Sequence, residues 1–294
     1  MGAERTRPAR SRRAPENQSE LFPLPRSVAE PPVQRAAPGA LRVGTSGYSF
    51  ADWVGPFYPP GTPRARMLEH YQRHFHAVEI NATYYRLPPP GAMQRMAERT
   101  PADFHFMVKV PGDVTHARDR DPAPVAGFHR TVAPLQEAGK FTGALAQFPF
   151  SFRRSRESED YLSWLREAFP RLPLFVEFRH ESWKSAETVE LLDSHGLGIC
   201  SVDEPALPGL IPRWAARAGD TAYVRLHGRN AQTWWKGGGE RYDYLYSRPE
   251  LNEWAATIRD LAEGARRTYV FFNNCHAGHA VVNAREMAEL LKLA

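Results

Sequence analysis

From residue 41 onward the chain repeats one theme. A short run of apolar residues with polar ones interleaved is followed by a longer segment whose apolar positions recur every three or four residues. The short runs predict strands over 41–48, 77–85, 105–111, 143–149, 174–180, 198–204, 222–228 and 268–274. The longer segments predict helices over 64–75, 124–138, 155–169, 185–195 and 251–266. A last helix is expected over 284–293, with Asn283 as its N-cap and Glu286 as the capping-box partner. Eight strands alternating with helices over about 250 residues predict an α/β fold, a single-domain (β/α)8 barrel of TIM type over 41–294. An open doubly wound sheet is the competing architecture, but Gly44-Thr45-Ser46-Gly47 after the first strand lacks dinucleotide-binding spacing.

Parallel strands covered on both faces normally read as continuous apolar runs. These alternate instead: Val78-Glu79-Ile80-Asn81, Val176-Glu177-Phe178-Arg179 and Val224-Arg225-Leu226-His227 are the clearest cases. Side chains alternate faces along a strand, so the apolar set packs on the helices and the polar set turns to the barrel axis. The inward set read this way is Glu79, Asn81, Lys109, Gln147, Glu177, Arg179, Asp203, Arg225, His227 and Asn274. All lie in the C-terminal halves of their strands, where barrel enzymes carry their chemistry. A ring of ion pairs that merely fills the barrel is the alternative, because buried charges must be paired whatever their purpose.

The first 40 residues differ in kind. They hold seven Pro and seven Arg against four Glu, with no hydrophobic period, which predicts a disordered Pro/Arg-rich leader. The leader carries +3 of the chain's net charge of +5, so the body is nearly balanced and does not read as a nucleic-acid surface. No apolar run is long enough to span a membrane. Cys200 and Cys275 sit inside apolar runs, as buried thiols of a cytoplasmic protein would.

Several longer runs resemble one family. They are Val43-Gly44-Thr45-Ser46-Gly47-Tyr48, Val78 to Tyr85, Phe106-Met107-Val108-Lys109, Gln147-Phe148-Pro149, Val176 to His180 with Trp183, Arg225-Leu226-His227-Gly228 and Phe272-Asn273-Asn274. In this order they are similar to the YecE-like family, the domain-of-unknown-function 72 family. The resemblance spans nearly all of 41–294 and implies a TIM-type barrel, with no settled activity.

Three chemistries suit the ring. The first is acid–base work of hydrolase, isomerase or lyase type on a small anion, without a cofactor. Lys109, Arg179 and Arg225 would hold the anion, Glu79 or Glu177 would act as base and His227 as acid or proton shuttle, with Asp203 in the same working set. Asn81, Gln147 and Asn274, with His180 and Trp183 after the fifth strand, complete the expected binding wall, and Trp53 and Tyr58 are candidates for it. The second is a divalent-metal site on Glu177, Asp203 and His227, similar to sugar isomerase and epimerase barrels. Asn274 then stands where a sugar epimerase has a carboxylate. The third is nucleic-acid processing, suggested by the interleaved Trp234, Trp235, Lys236, Arg241, Tyr242, Tyr244 and Tyr246. The same segment reads better as a lid over a small ligand, with Gly237-Gly238-Gly239 as hinge. A barrel that binds a ligand without turning it over fits the same residues.

Overall fold

The computed structural model describes residues 41–236 and 238–293; the leader expected over 1–40, and Gly237 of the expected hinge, lie outside the described residues. Eight parallel strands pair in chain order and close into a barrel: β1 (Leu41–Ser46), β2 (Ala77–Ile80), β3 (His105–Lys109), β4 (Phe141–Gln147), β5 (Leu174–Glu177), β6 (Gly198–Asp203), β7 (Thr221–Leu226) and β8 (Arg267–Phe272). Each falls inside or within two residues of a run expected from the alternation. The strands are shorter at their C-terminal ends, because the polar residues there turn into the mouth loops.

Helices cover the outside: α1 (Met67–Tyr71), α2 (Pro90–Glu98), α3 (Pro122–Glu137), α4 (Arg156–Ala168), α5 (Ala186–Ser194), α6 (Arg248–Ala262) and α7 (His279–Leu290). The sequence pattern hides α2, whose start is a run of three prolines followed by Gly91. Pro90 nevertheless suits the first helical position, where a missing N–H costs nothing. Between β6 and β7 the described residues form no helix. Pro205, Pro208, Gly209 and Pro212 break any periodicity there, and the segment instead lies against β6, Trp214 exchanging backbone hydrogen bonds with Val202.

One expectation about α7 fails. The helix starts at His279, so Asn283 is an interior residue and not its cap. Its side chain is fully buried, accepts from the Tyr246 N–H at 3.0 Å and donates to the Tyr246 carbonyl at 3.0 Å. Tethering the loop after β7 outweighs capping.

The lower barrel is packed by size matching. Phe175 projects inward from β5, and the neighbouring strands β4 and β6 each give it a glycine. A Cβ on Gly143 would lie 2.6 Å from the ring, and one on Gly198 would lie 2.3 Å from it. Tyr223 meets Phe175 and Phe271 edge-on, at 5.3 and 5.7 Å between centroids, which plugs the axis below the charged layer. Cys200 and Cys275 are buried and free. Among the described residues no helix is long and apolar enough to cross a membrane.

Candidate functional site

Strand register decides which polar residues face the axis. Partners across a parallel ladder share a face, so Ser46 with Glu79, and Gln147 with Glu177, turn inward together. Arg225 pairs with Val202 and Phe271, which puts Glu204 and Asn273, two residues on, on the inner face. Asp203 pairs with Leu226, and Leu226 faces the helices. The expected inward place of Asp203 is therefore corrected: it turns outward and binds Arg229 at 2.9 Å, while Arg229 also holds Glu250 at 2.9 Å. The expected place of Asn274 is corrected in the same way. Its amide donates to the Tyr244 carbonyl and to Asn283, at 2.8 and 2.9 Å, outside the barrel. Two adjacent acids, Asp203-Glu204, and two adjacent amides, Asn273-Asn274, make the phase ambiguous in sequence, so Glu204 and Asn273 were missed.

The inward charges form one connected cluster. Glu79 accepts from Arg225 Nη2 at 2.7 Å through Oε1 and from the Tyr223 hydroxyl through Oε2. Arg225 Nη1 reaches Glu177 Oε2 at 2.5 Å, and Arg179 Nη2 lies 2.6 Å from Glu177 Oε1. Arg179 Nη1 contacts Glu204. His227 Nε2 lies 3.3 Å from Glu177 Oε1, and its Nδ1 accepts from the Asn273 amide at 2.9 Å. Arg179 Nη2 also lies 3.2 Å from His227 Nε2, so Glu177, Arg179 and Asn273 all meet the ring. Glu79, Glu177, His227 and the Glu204 side chain are fully buried.

Above this cluster the mouth opens into two adjoining cavities of about 260 and 180 Å³. Lys109, Gln147, Arg179, Tyr85 and Tyr242 line both. The outer one adds His116 and Arg241 with an aromatic wall of Tyr84, Phe150, Trp234 and Trp235. The inner one adds Ser46, Asn81, Arg225 and Asn273. Among the described residues no Asp or Glu lines either cavity. The carboxylates lie behind the wall, where they hold the arginines. A ligand meets mainly cations, amides, hydroxyls and aromatic faces, with Pro149, Leu210 and Cys275 between them.

Other expected wall residues lie elsewhere. Trp183 is buried in an aromatic stack with Phe178 and Phe152, its indole N–H on the Phe152 carbonyl at 2.7 Å. His180 caps the short turn that follows it, accepting from the Ser182 N–H at 3.1 Å. Trp53 and Tyr58 belong to the core between β1 and α1. These side chains follow strand ends, as the pattern indicated, but apolar packing claims them. In the segment after β7, Trp234 lies over the Arg179 guanidinium at 5.6 Å and is itself buried, so this part covers the mouth.

Burial sets the protonation states. Desolvation, with Arg225 second, brings the Lys109 ammonium down to about 7; among the described residues its one hydrogen-bond acceptor is the neutral Gln147 amide, at 2.8 Å. Burial, then Lys109 and Arg118, bring His116 down to about 4. Burial and Arg179 bring His227 down to about 3, so it is neutral at pH 7. Burial also opposes charge on Glu177, but Arg179 and Arg225 overcome it and hold the carboxylate well below the usual range. Glu204 is pushed up by burial to about 8, against the pull of Arg179. For a metal, the trio Glu177, Asp203 and His227 does not converge, since Asp203 faces away and both Glu177 oxygens face guanidinium groups. Among the described residues no group of three or more His, Cys, Asp or Glu could hold an ion.

The fold and site define a closed parallel β/α barrel with a cation-walled mouth set over buried ion pairs. The family model described as "Protein of unknown function DUF72" matches residues 42–294, and the chain belongs to that family. It is similar to the UPF0759 protein YunF of Bacillus subtilis (strain 168), 32% identical over 272 residues, covering 86% of this chain and 95% of the relative. It is also similar to the crystal structure of a DUF72 family protein from Thermotoga maritima MSB8, with a TM-score of 0.81 and 44% identity, covering 86% and 99% of the two chains. A DUF72 family protein from Enterococcus faecalis V583 gives 0.78 at 25% identity, covering 86% and 96%.

Proposed function

We propose that the barrel mouth binds a small organic anion carrying a flat ring and performs acid–base chemistry on it, of hydrolase, isomerase or lyase type. The observation that carries this reading is the division of charge: Lys109, Arg179, Arg225 and Arg241 line the cavities while the carboxylates stay behind them. Such a wall attracts a carboxylate or phosphate. Lys109 and Arg241, which form no ion pair among the described residues, would meet it directly. Arg179 and Arg225, their Nη atoms held by Glu79, Glu177 and Glu204, add positive field behind them. The ring would lie against Trp234, Trp235 and Tyr242.

Lys109 and His116 are the groups fitted to move a proton, because both face the ligand space and both are free to be neutral near pH 7. Glu79, Glu177 and Glu204 are positioning residues in this reading, fixing the guanidinium planes. His227 supports Arg179 from below. The two buried thiols favour a reducing compartment, and we place the protein in the cytoplasm on that ground.

Phenyl phosphate, a dianion with a flat ring, serves as probe in calorimetric titrations of the wild type, Lys109→Met and Arg241→Gln. Each substitution is expected to weaken binding about tenfold while the melting temperature stays close to wild type. Equal affinity in all three proteins refutes the reading.

A further inference from the structure

A second basic cavity, of about 390 Å³, lies beside the mouth between the β3–α3 and β4–α4 loops. His116 and Phe150 line the mouth, whereas the residues next to them, Ala117 and Ser151, line this second space. It is therefore a separate basin on the same face of the barrel. Arg118, Arg120 and Arg153 converge on it, opposed by a single acid, Glu157.

Several arginines that tie elements of this chain together are paired with carboxylates. Arg154, beside Arg153, binds Glu159 at 2.8 Å, Arg213 binds Glu253 at 3.1 Å, and Arg179, Arg225 and Arg229 each hold two carboxylates. Among the described residues none of Arg118, Arg120 and Arg153 forms an ion pair. Arg118 Nη1 is buried without any hydrogen-bond partner, a donor that a folded protein normally satisfies. Three like charges around one hollow repel each other, and a bound anion removes that cost.

The floor is built to hold them. The Arg118 guanidinium lies 5.4 Å from the ring centre of Phe152, and that of Arg120 lies 5.7 Å from Tyr161. Both rings are almost fully buried, Phe152 in the stack with Trp183 and Tyr161 through its hydroxyl on the Val114 carbonyl. Arg118 and Arg120 both adopt left-handed backbone, with φ of 57° and 58°, which non-glycine residues rarely accept. The first turn of the 13-residue α4, whose Ser158 N–H is capped by the Ser155 hydroxyl, lines the same space.

We propose that this basin is a phosphate-binding site, distinct from the mouth cavities, in which Arg118, partly buried, and the exposed Arg153 grip a phosphoryl dianion and Arg120 supplies a third contact. The shared chemistry is a phosphate group, either free or carried by an organic ester. It does not depend on the function proposed for the mouth.

Arginine-directed labelling with phenylglyoxal, read peptide by peptide in a mass spectrometer, tests this on the intact protein. With inorganic phosphate at about 10 mM or below, Arg118, Arg120 and Arg153 are expected to be protected together, with one midpoint, while Arg266 on the opposite face stays reactive. In Arg153→Gln the midpoint for Arg118 is expected to rise about tenfold. Glycerol 3-phosphate in a parallel arm separates the sources. A lower midpoint than inorganic phosphate assigns the site to an ester, and an equal or higher one to the free ion. Absence of protection in both arms overturns the proposal, and so does protection spread evenly over all surface arginines. The wild-type labelling decides the matter even if the variant fails to fold.

Discussion

Replacing Glu177 by Gln is the sharpest probe of the charged layer, because this carboxylate at the end of β5 holds two guanidiniums, Arg225 of β7 and Arg179 just beyond its own strand. Its oxygens lie 2.5 Å from Arg225 and 2.6 Å from Arg179, with no solvent exposure. Breaking a buried pair by removing one partner costs about 3–5 kcal/mol, since the charge left behind keeps its desolvation penalty. Two features pull the expected value to the low end. Arg225 retains Glu79, and Arg179 retains Glu204. Part of what keeps Glu204 protonated is the negative charge of Glu177, so removing that charge lets Glu204 ionise and take over Arg179. The expected loss is about 3 kcal/mol, a large share of the roughly 5–15 kcal/mol that a domain possesses. Urea unfolding followed by tryptophan fluorescence measures it. The same argument predicts that Glu177→Gln combined with Glu204→Gln exceeds the sum of the single losses by about 1 kcal/mol or more. A single-variant loss below about 1 kcal/mol, the range of exposed pairs, refutes the ion-pair reasoning, and strict additivity refutes the role given to Glu204.

Further outcomes follow from the same geometry. Lys109 has its folded value lowered to about 7 from 10.5, so the unfolded chain binds the extra proton and stability rises with pH between those values. Lys109→Met is expected to flatten that rise in denaturation curves at pH 7 to 10, and to abolish the weakening of phenyl phosphate binding as pH climbs through 7. Gly198→Ala sets a methyl against Phe175 and is expected to cost about 1–3 kcal/mol in urea, most of it recovered in a Phe175→Leu background. Asn283→Ala strands the backbone N–H and carbonyl of Tyr246, and a loss of about 3 kcal/mol is expected in the same assay, with faster proteolysis after β7.

The barrel was legible because alternation and element count leave few other ways to bury eight such strands. Lys109, Gln147, Arg179, Arg225 and Asn81 were recoverable for the mouth because each sits one step out of phase with unmistakably apolar neighbours. Where two polar residues adjoin, as at Asp203-Glu204 and Asn273-Asn274, periodicity has no apolar partner to fix the phase. Only the ladder register resolves it. The roles we propose for Glu177 and His227 differ from those expected for another reason. A sequence names ionisable groups but not their depth, and depth turns a candidate base into a bound counter-ion. Asn283 had the residue type of a cap, and a partner far along the chain claimed it.

The missing helix between β6 and β7 leaves one stave of the barrel backed by an irregular strap, where every other stave has a cylinder behind it. A helix satisfies its amides internally, whereas this strap takes partners from its neighbours: Trp214 bonds Val202, Ile211 the Arg179 carbonyl, Ala216 the Ser201 hydroxyl and Gly219 the Asp193 carboxylate. That sector is the natural seam of the wall. Arg179 leans across it toward Glu204 at the strap's first residue, so whatever loosens the seam also frees a guanidinium at the mouth.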